Sequence, residues 1–164
     1  MGICAGAYLA ASDPVDGKTF DMLGGTVADD ERPLPNGEPD ELGHPILVNS
    51  REAPGALGAP HVAYHQAGPY FTPLAGSIQE VWARYSATNR IAAMVTASGK
   101  GTVGVVGPHF EATSEWYTAG CTPLNPKYTC EARRTATESL ASREVSNHAF
   151  FAGFVERLIG KPAR

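Results

Sequence analysis

Apolar positions follow two regimes along this chain. The first is helical: Ala5-Gly6-Ala7-Tyr8-Leu9-Ala10-Ala11 is rich in helix formers and is ended by Ser12-Asp13-Pro14. The second is extended. Ile46–Val48, His61–Gln66, Val81–Tyr85, Ile91–Ala97 and Thr102–Val106 are short β-rich runs separated by clusters of Gly, Pro, Ser and Asn. Thr102–Val106 carries no charge and reads as a strand buried on both faces, running out at Gly107-Pro108-His109-Phe110-Glu111. Ala97-Ser98-Gly99-Lys100-Gly101 reads as the hairpin turn before it, with glycines free to take positive φ.

Thr19–Leu23 reads as another strand, stopped by Gly24-Gly25. Residues 28 to 45 carry Asp29-Asp30-Glu31, Asn36-Gly37 and several prolines, the pattern of an exposed, solvated acidic loop. Residues 118 to 134 show no period and read as loop. The chain closes on a helix. Phe150, Phe151, Phe154, Val155, Leu158 and Ile159 recur at three and four, and Gly160 and Pro162 stop it.

Composition narrows the class. With 164 residues, 43% of them hydrophobic and 18% charged, the chain reads as one globular domain over 1–164. Eighteen glycines and thirteen prolines exclude a helical bundle. A net charge of -4 argues against nucleic acid or an anionic membrane surface as partner. No stretch is apolar for long enough to span a bilayer, and no export leader is visible, so the expected location is cytoplasmic.

Three cysteines leave at least one unpaired in the monomer, with Cys4 the candidate. Cys121 and Cys130 default to two ordinary thiols, a disulfide being expected only in an exported protein. His61 and His65 lie four apart on a strand, with no carboxylate or cysteine in the pattern, so zinc is not expected there. No metal or cofactor is called for. Tyr64, Tyr70 and Phe71 are strand aromatics, which serve more often as core than as pocket lining.

Chemistry concentrates at the beginning. In Gly2-Ile3-Cys4-Ala5-Gly6 a cysteine stands between two glycines just before a helix, the cysteine form of a nucleophile elbow. Small residues on either side allow the strained turn. The first helix N–H groups favour a thiolate and then an oxyanion, with Ala5 N–H the natural donor because it directly follows the nucleophile. Such a cysteine needs a base, and the base a carboxylate to orient it. His109 and Glu111, two apart at the end of a buried strand, suit those roles.

A cysteine early and His-x-Glu late, after a strand, resembles the class I glutamine amidotransferases. Gly2-Ile3-Cys4-Ala5-Gly6-Ala7-Tyr8-Leu9-Ala10, Gly68-Pro69-Tyr70-Phe71 and Val106-Gly107-Pro108-His109-Phe110-Glu111-Ala112 together resemble one branch of them. That branch is the amidotransferase-like family named for the N-terminal domain of eukaryotic biotin–protein ligase, with many stand-alone bacterial members. The resemblance runs from Gly2 to about Thr113 and implies a flavodoxin-like, doubly wound sheet. It makes Cys4 the nucleophile, His109 the base and Glu111 its orienter, and assigns Gly68, Pro69 and Tyr70 to the substrate pocket.

The chain departs from the family at two points. Phe110 stands where the family usually has proline, which leaves the His-x-Glu spacing intact. The family also begins with strand–helix units that lead into the elbow and supply a second oxyanion donor, whereas Met1 alone precedes Gly2 here. The chain therefore reads as the C-terminal part of such a domain. Its open sheet edge leaves room for another chain to complete the sheet and predicts poor solubility as a monomer.

The implied chemistry is attack of the Cys4 thiolate on the carbonyl of a small-molecule amide, with glutamine the substrate the resemblance suggests. His109 protonates the departing ammonia or amine, and water then hydrolyses the thioester. Two other readings stand beside it. One is an inactive module that binds a ligand or partner through the same pocket; the other is a redox sensor whose Cys4 oxidises to a sulfenic acid.

Overall fold

The computed structural model describes residues 1–12, 18–31, 44–50, 60–77, 79–118 and 130–160. In chain order its elements are β1 (Gly2–Ile3), α1 (Ala5–Ala10), β2 (Val27–Asp30), β3 (His44–Asn49), β4 (Pro60–His65), β5 (Pro69–Thr72), β6 (Gln79–Tyr85), β7 (Ile91–Ser98), β8 (Gly101–Val106), α2 (Glu115–Thr118), α3 (Cys130–Ala141) and α4 (Glu144–Leu158). This is a mixed α/β fold around one curled, mixed sheet.

The main path of the sheet runs β1-β8-β7-β6-β3-β4, with β5 joined to β7 and β2 to β5. Among the described residues β1–β8 is the one parallel strand pair, with Gly2 opposite Val105 and Ile3 opposite Val106. The other strand pairs are antiparallel. The β7–β8 hairpin closes on Ser98 opposite Gly101, with Gly99 at φ 58 in the tight loop.

Side-chain alternation along β8 divides the core. Val103 and Val105 face α1, packing with Ala7, Ala10, Leu23, Phe71, Ile91 and Met94. Gly104 and Val106 face the other way, toward α4, where Phe150 and Phe154 pack with Trp82, Val95 and Phe110. Gly104 is required there: a Cβ would lie 2.8 Å from Leu158 Cδ1 and from Phe154 Cε1 and Cζ. Helices thus cover both faces and β8 is buried between them.

A hydrogen-bonded group fastens α4 to the sheet. Asn147 Nδ2 donates to Val62 O at 2.7 Å, and Asn147 Oδ1 lies 3.1 Å from His61 Nδ1. His61 Nε2 lies 2.8 Å from Ser50 Oγ. All three side chains are fully buried, and burial holds the His61 imidazole below its ordinary pKa of 6.5.

Four expectations are corrected. Thr19–Leu23 is not a strand; it hooks under the end of α1, with Phe20 N–H donating to Leu9 O and Met22 N–H to Ala10 O. The carbonyls left open at a helix end pull the segment in, and Leu23 is buried beneath it. The start of the acidic stretch is not solvated loop. Val27–Asp30 pairs with β5 as β2, and Glu31 is buried, bonded to Thr88 Oγ1 at 2.8 Å and to Arg90 at 3.4 Å. Only residues 32–43 of that stretch lie outside the described residues.

Helix α3 begins at Cys130, inside the stretch read as loop, while Cys121 lies outside the described residues. Ile159, assigned to the apolar face of the last helix, is 63% exposed just past its end, where Gly160 takes φ 77. Pro162 lies outside the described residues.

Candidate active site

Strand β1 delivers Cys4 to the start of α1. Cys4 has φ 48 and ψ -111, a conformation that costs a non-glycine residue on the order of 1–3 kcal/mol and persists only where its surroundings enforce it. Those surroundings are specific: Cys4 N–H donates to Val106 O at 2.9 Å, and Cys4 O accepts from Ala7 N–H at 2.9 Å and Tyr8 N–H at 3.3 Å. The residue thus ends the strand and starts the helix at once.

The two glycines around it are not equivalent. A Cβ on Gly2 would lie 2.5 Å from Gly6 O and 3.0 Å from Ala7 Cα, so glycine there lets the helix close on the strand. Among the described residues a Cβ on Gly6 would meet nothing within 4 Å, which corrects the expectation that both positions must be small.

Cys4 is a free, half-buried thiol. Its Sγ donates to Gln66 O at 3.5 Å and lies in hydrogen-bond contact with His109. His109 Nδ1 is 2.6 Å from Glu111 Oε1. A carboxylate only accepts, so Nδ1 carries the proton and Nε2 is the nitrogen left for Cys4. Glu111 Oε2 is buried and has no hydrogen-bond partner among the described residues.

Burial disfavours the charged imidazole, but hydrogen bonds to Cys4 and Glu111 and the charges of both outweigh it. Together they raise His109 from 6.5 to about 9. Ala5 is the first residue of α1, so its N–H has no acceptor within the helix and sits directly after Cys4.

The second and third motifs meet backbone to backbone. A Cβ on Gly68 would lie 2.3 Å from Gly107 O; one on Gly107 would lie 2.1 Å from Pro69 O and 2.2 Å from Tyr85 Oη. Tyr85 Oη donates to Pro69 O at 2.8 Å, and His65 Nε2 is 3.1 Å from Gly68 O. His109 N–H donates to Tyr64 O at 2.7 Å. These contacts set the height of His109 against the turn that carries Gln66 and Ala67. Ala67 itself takes φ 50, and its carbonyl accepts from Tyr8 Oη at 3.1 Å.

Gly68 and Pro69 are buried in this seam, and it is Gln66 that reaches Cys4. Tyr70 Oη donates to Asp29 Oδ2 at 3.0 Å, and the Arg90 guanidinium lies 4.1 Å over its ring. Two side chains beside His109 carry no sequence signal for that position. Tyr64 lies 5.8 Å from the imidazole and Trp116 of α2 lies 5.2 Å from it, centroid to centroid. A four-residue helix leaves no periodicity by which Trp116 could be placed.

His61 and His65 do not form a metal pair; His61 is spent on Ser50 and Asn147. Among the described residues no group of three or more His, Cys, Asp or Glu side chains is placed to hold a metal ion. Among the same residues, no helix is long and apolar enough to cross a membrane. Comparison with protein-family models, with curated proteins and with solved structures found no match.

Proposed function

We propose that the chain is a cysteine-dependent amidohydrolase of the glutamine amidotransferase kind, acting through Cys4, His109 and Glu111. One observation carries the reading: a strained cysteine at a strand–helix turn touches a histidine whose other nitrogen is held 2.6 Å from a carboxylate. The Cys4 thiolate adds to the carbonyl carbon of a small-molecule amide, and the oxyanion takes the Ala5 N–H. As the C–N bond breaks, protonated His109 gives its proton to the departing nitrogen, leaving a thioester on Cys4. His109, neutral again, takes a proton from water as the hydroxyl adds to the thioester; the carboxylic acid leaves and Cys4 is restored. Glu111 holds the imidazole in the tautomer that both steps need.

In this proposal the turn at Gln66–Gly68 borders the substrate, while Pro69 and Tyr70 brace it. The proposal includes a flavodoxin-like, doubly wound sheet. The parallel β1–β8 pair supports that, with α1 on one face and α4 on the other.

The test is labelling by a glutamine-analogue electrophile, read by intact mass and peptide mapping. Modification at Cys4, abolished in Cys4→Ala and slowed at least tenfold in His109→Ala, is the expected result. Labelling that ignores His109 would end the triad reading. Peroxide oxidation of Cys4 without hydrolysis of any amide would support the sensor reading instead.

A further inference from the structure

We propose that Trp116 is a positioning residue for the same site, its indole held against His109 so that the π-face favours the imidazolium over the neutral ring. The inference rests on the triad reading and concerns how His109 is kept charged.

The geometry is direct. The Trp116 and His109 ring centroids are 5.2 Å apart with the planes tilted by 49°. Tyr64 closes the third side, 5.3 Å from Trp116 and 5.8 Å from His109, each edge-on. A cation within about 6 Å of an indole centroid is attracted by the ring quadrupole, most strongly where water is excluded. The His109 side chain is 17% exposed.

Trp116 is 44% exposed, so much of the indole serves no core. Its place is nevertheless built: the Trp116 backbone N–H donates to Thr113 O at 3.1 Å, and Glu144 of α4 accepts the Ser114 backbone N–H at 3.2 Å. Those bonds tie the short helix α2 beside the imidazole.

Among the described residues the titratable groups facing His109 are Cys4 from the β1–α1 turn, Glu111 from its own segment and the Tyr64 phenol from β4. From α2 comes Trp116, with the exposed Glu115 beside it. Burial pushes the imidazole toward neutrality, and Cys4 and Glu111 raise it. An indole face at this distance adds to their effect where an aliphatic side chain would not.

The test uses the full chain and reads His109 directly by NMR titration of its imidazole, in wild type, Trp116→Phe and Trp116→Leu. In Trp116→Leu the midpoint is expected to fall by about one pH unit, and in Trp116→Phe by less than half of that. Midpoints equal to wild type in both variants, or lowered alike in both, overturn the proposal, because the π-face would then have no role.

A second readout needs only wild type and the conservative Trp116→Phe variant. Imidazolium quenches a neighbouring indole, so wild-type fluorescence minus that of Trp116→Phe, which keeps only Trp82, should rise through the same midpoint near pH 9. A difference signal that does not titrate with His109 overturns the contact. Wild-type Cys4 alkylation that is indifferent to His109→Ala would sink the triad reading itself, whereas an intact triad with no effect of Trp116→Leu sinks this inference alone.

Discussion

Alanine at Gly2 and alanine at Gly6 should have opposite effects, although the two glycines flank Cys4 symmetrically. At Gly2 a Cβ meets backbone: Gly6 O at 2.5 Å, Gly6 C at 2.8 Å and Ala7 Cα at 3.0 Å. Backbone cannot rotate away, so β1 must part from α1 by roughly half an ångström or more, as overpacking requires. The move strains the Gly2–Val105 and Ile3–Val106 pairing and the 2.9 Å bond from Cys4 N–H to Val106 O. A loss of about 1–3 kcal/mol follows.

At Gly6 the Cβ enters open space, and replacing glycine inside a helix by alanine gains about 0.5–1 kcal/mol. The two variants should differ by roughly 1.5–4 kcal/mol, or about 3–16 °C in Tm for a domain of this size. Urea unfolding and calorimetry measure this, and pH-dependent alkylation of Cys4 shows whether the elbow survives. Equal stabilities, or Gly6→Ala the weaker protein, would mean that α1 does not sit on β1 as described.

Three further outcomes follow from the site and the core. Glu111→Gln removes the charge beside His109 and should lower its midpoint from about 9 toward 6.5 while cutting amide hydrolysis about 10²-fold or more; NMR and kinetics read the two effects separately. The raised His109 contributes stability that is complete below pH 6.5 and lost as pH rises through about 9, so the Tm of Glu111→Gln should fall less over that range than that of wild type. His61, held below 6.5 by burial, contributes the reverse: its stability is present above 6.5 and lost as pH falls below it, and Asn147→Ala should cost about 1–3 kcal/mol at neutral pH by stripping Val62 O and His61 of partners. A pH scan of urea midpoints in which wild type shows neither limb would count against both assignments.

Local chemistry carried much of this structure into the sequence. The elbow was legible because glycine, cysteine and a helix-forming run leave few other conformations for three successive residues. The strands β3, β4, β6, β7 and β8 were legible from β-rich runs between turn residues, and the last helix from its period of three and four. The nomination of His109 and Glu111 rested on their spacing at a strand end together with Cys4 and the motif resemblance, since residues two apart there can point into one site.

Only the tertiary structure decided the rest, because it depends on what comes near in space. Nothing local distinguishes Gly2 from Gly6; the difference is the helix backbone folded over one and open space beside the other. The acidic residues at 29–31 read as solvated until Arg90 and Thr88, some sixty residues on, were found to hold Glu31 in the interior. Thr19–Leu23 gave up its strand tendency to satisfy the end of α1, and Gly68 and Gly107 are glycines because each lies against the other's chain. Above all, the meeting of Cys4 with His109 is made by the parallel β1–β8 ladder, which joins segments about a hundred residues apart. A sequence states which groups are reactive; long-range pairing decides which of them meet.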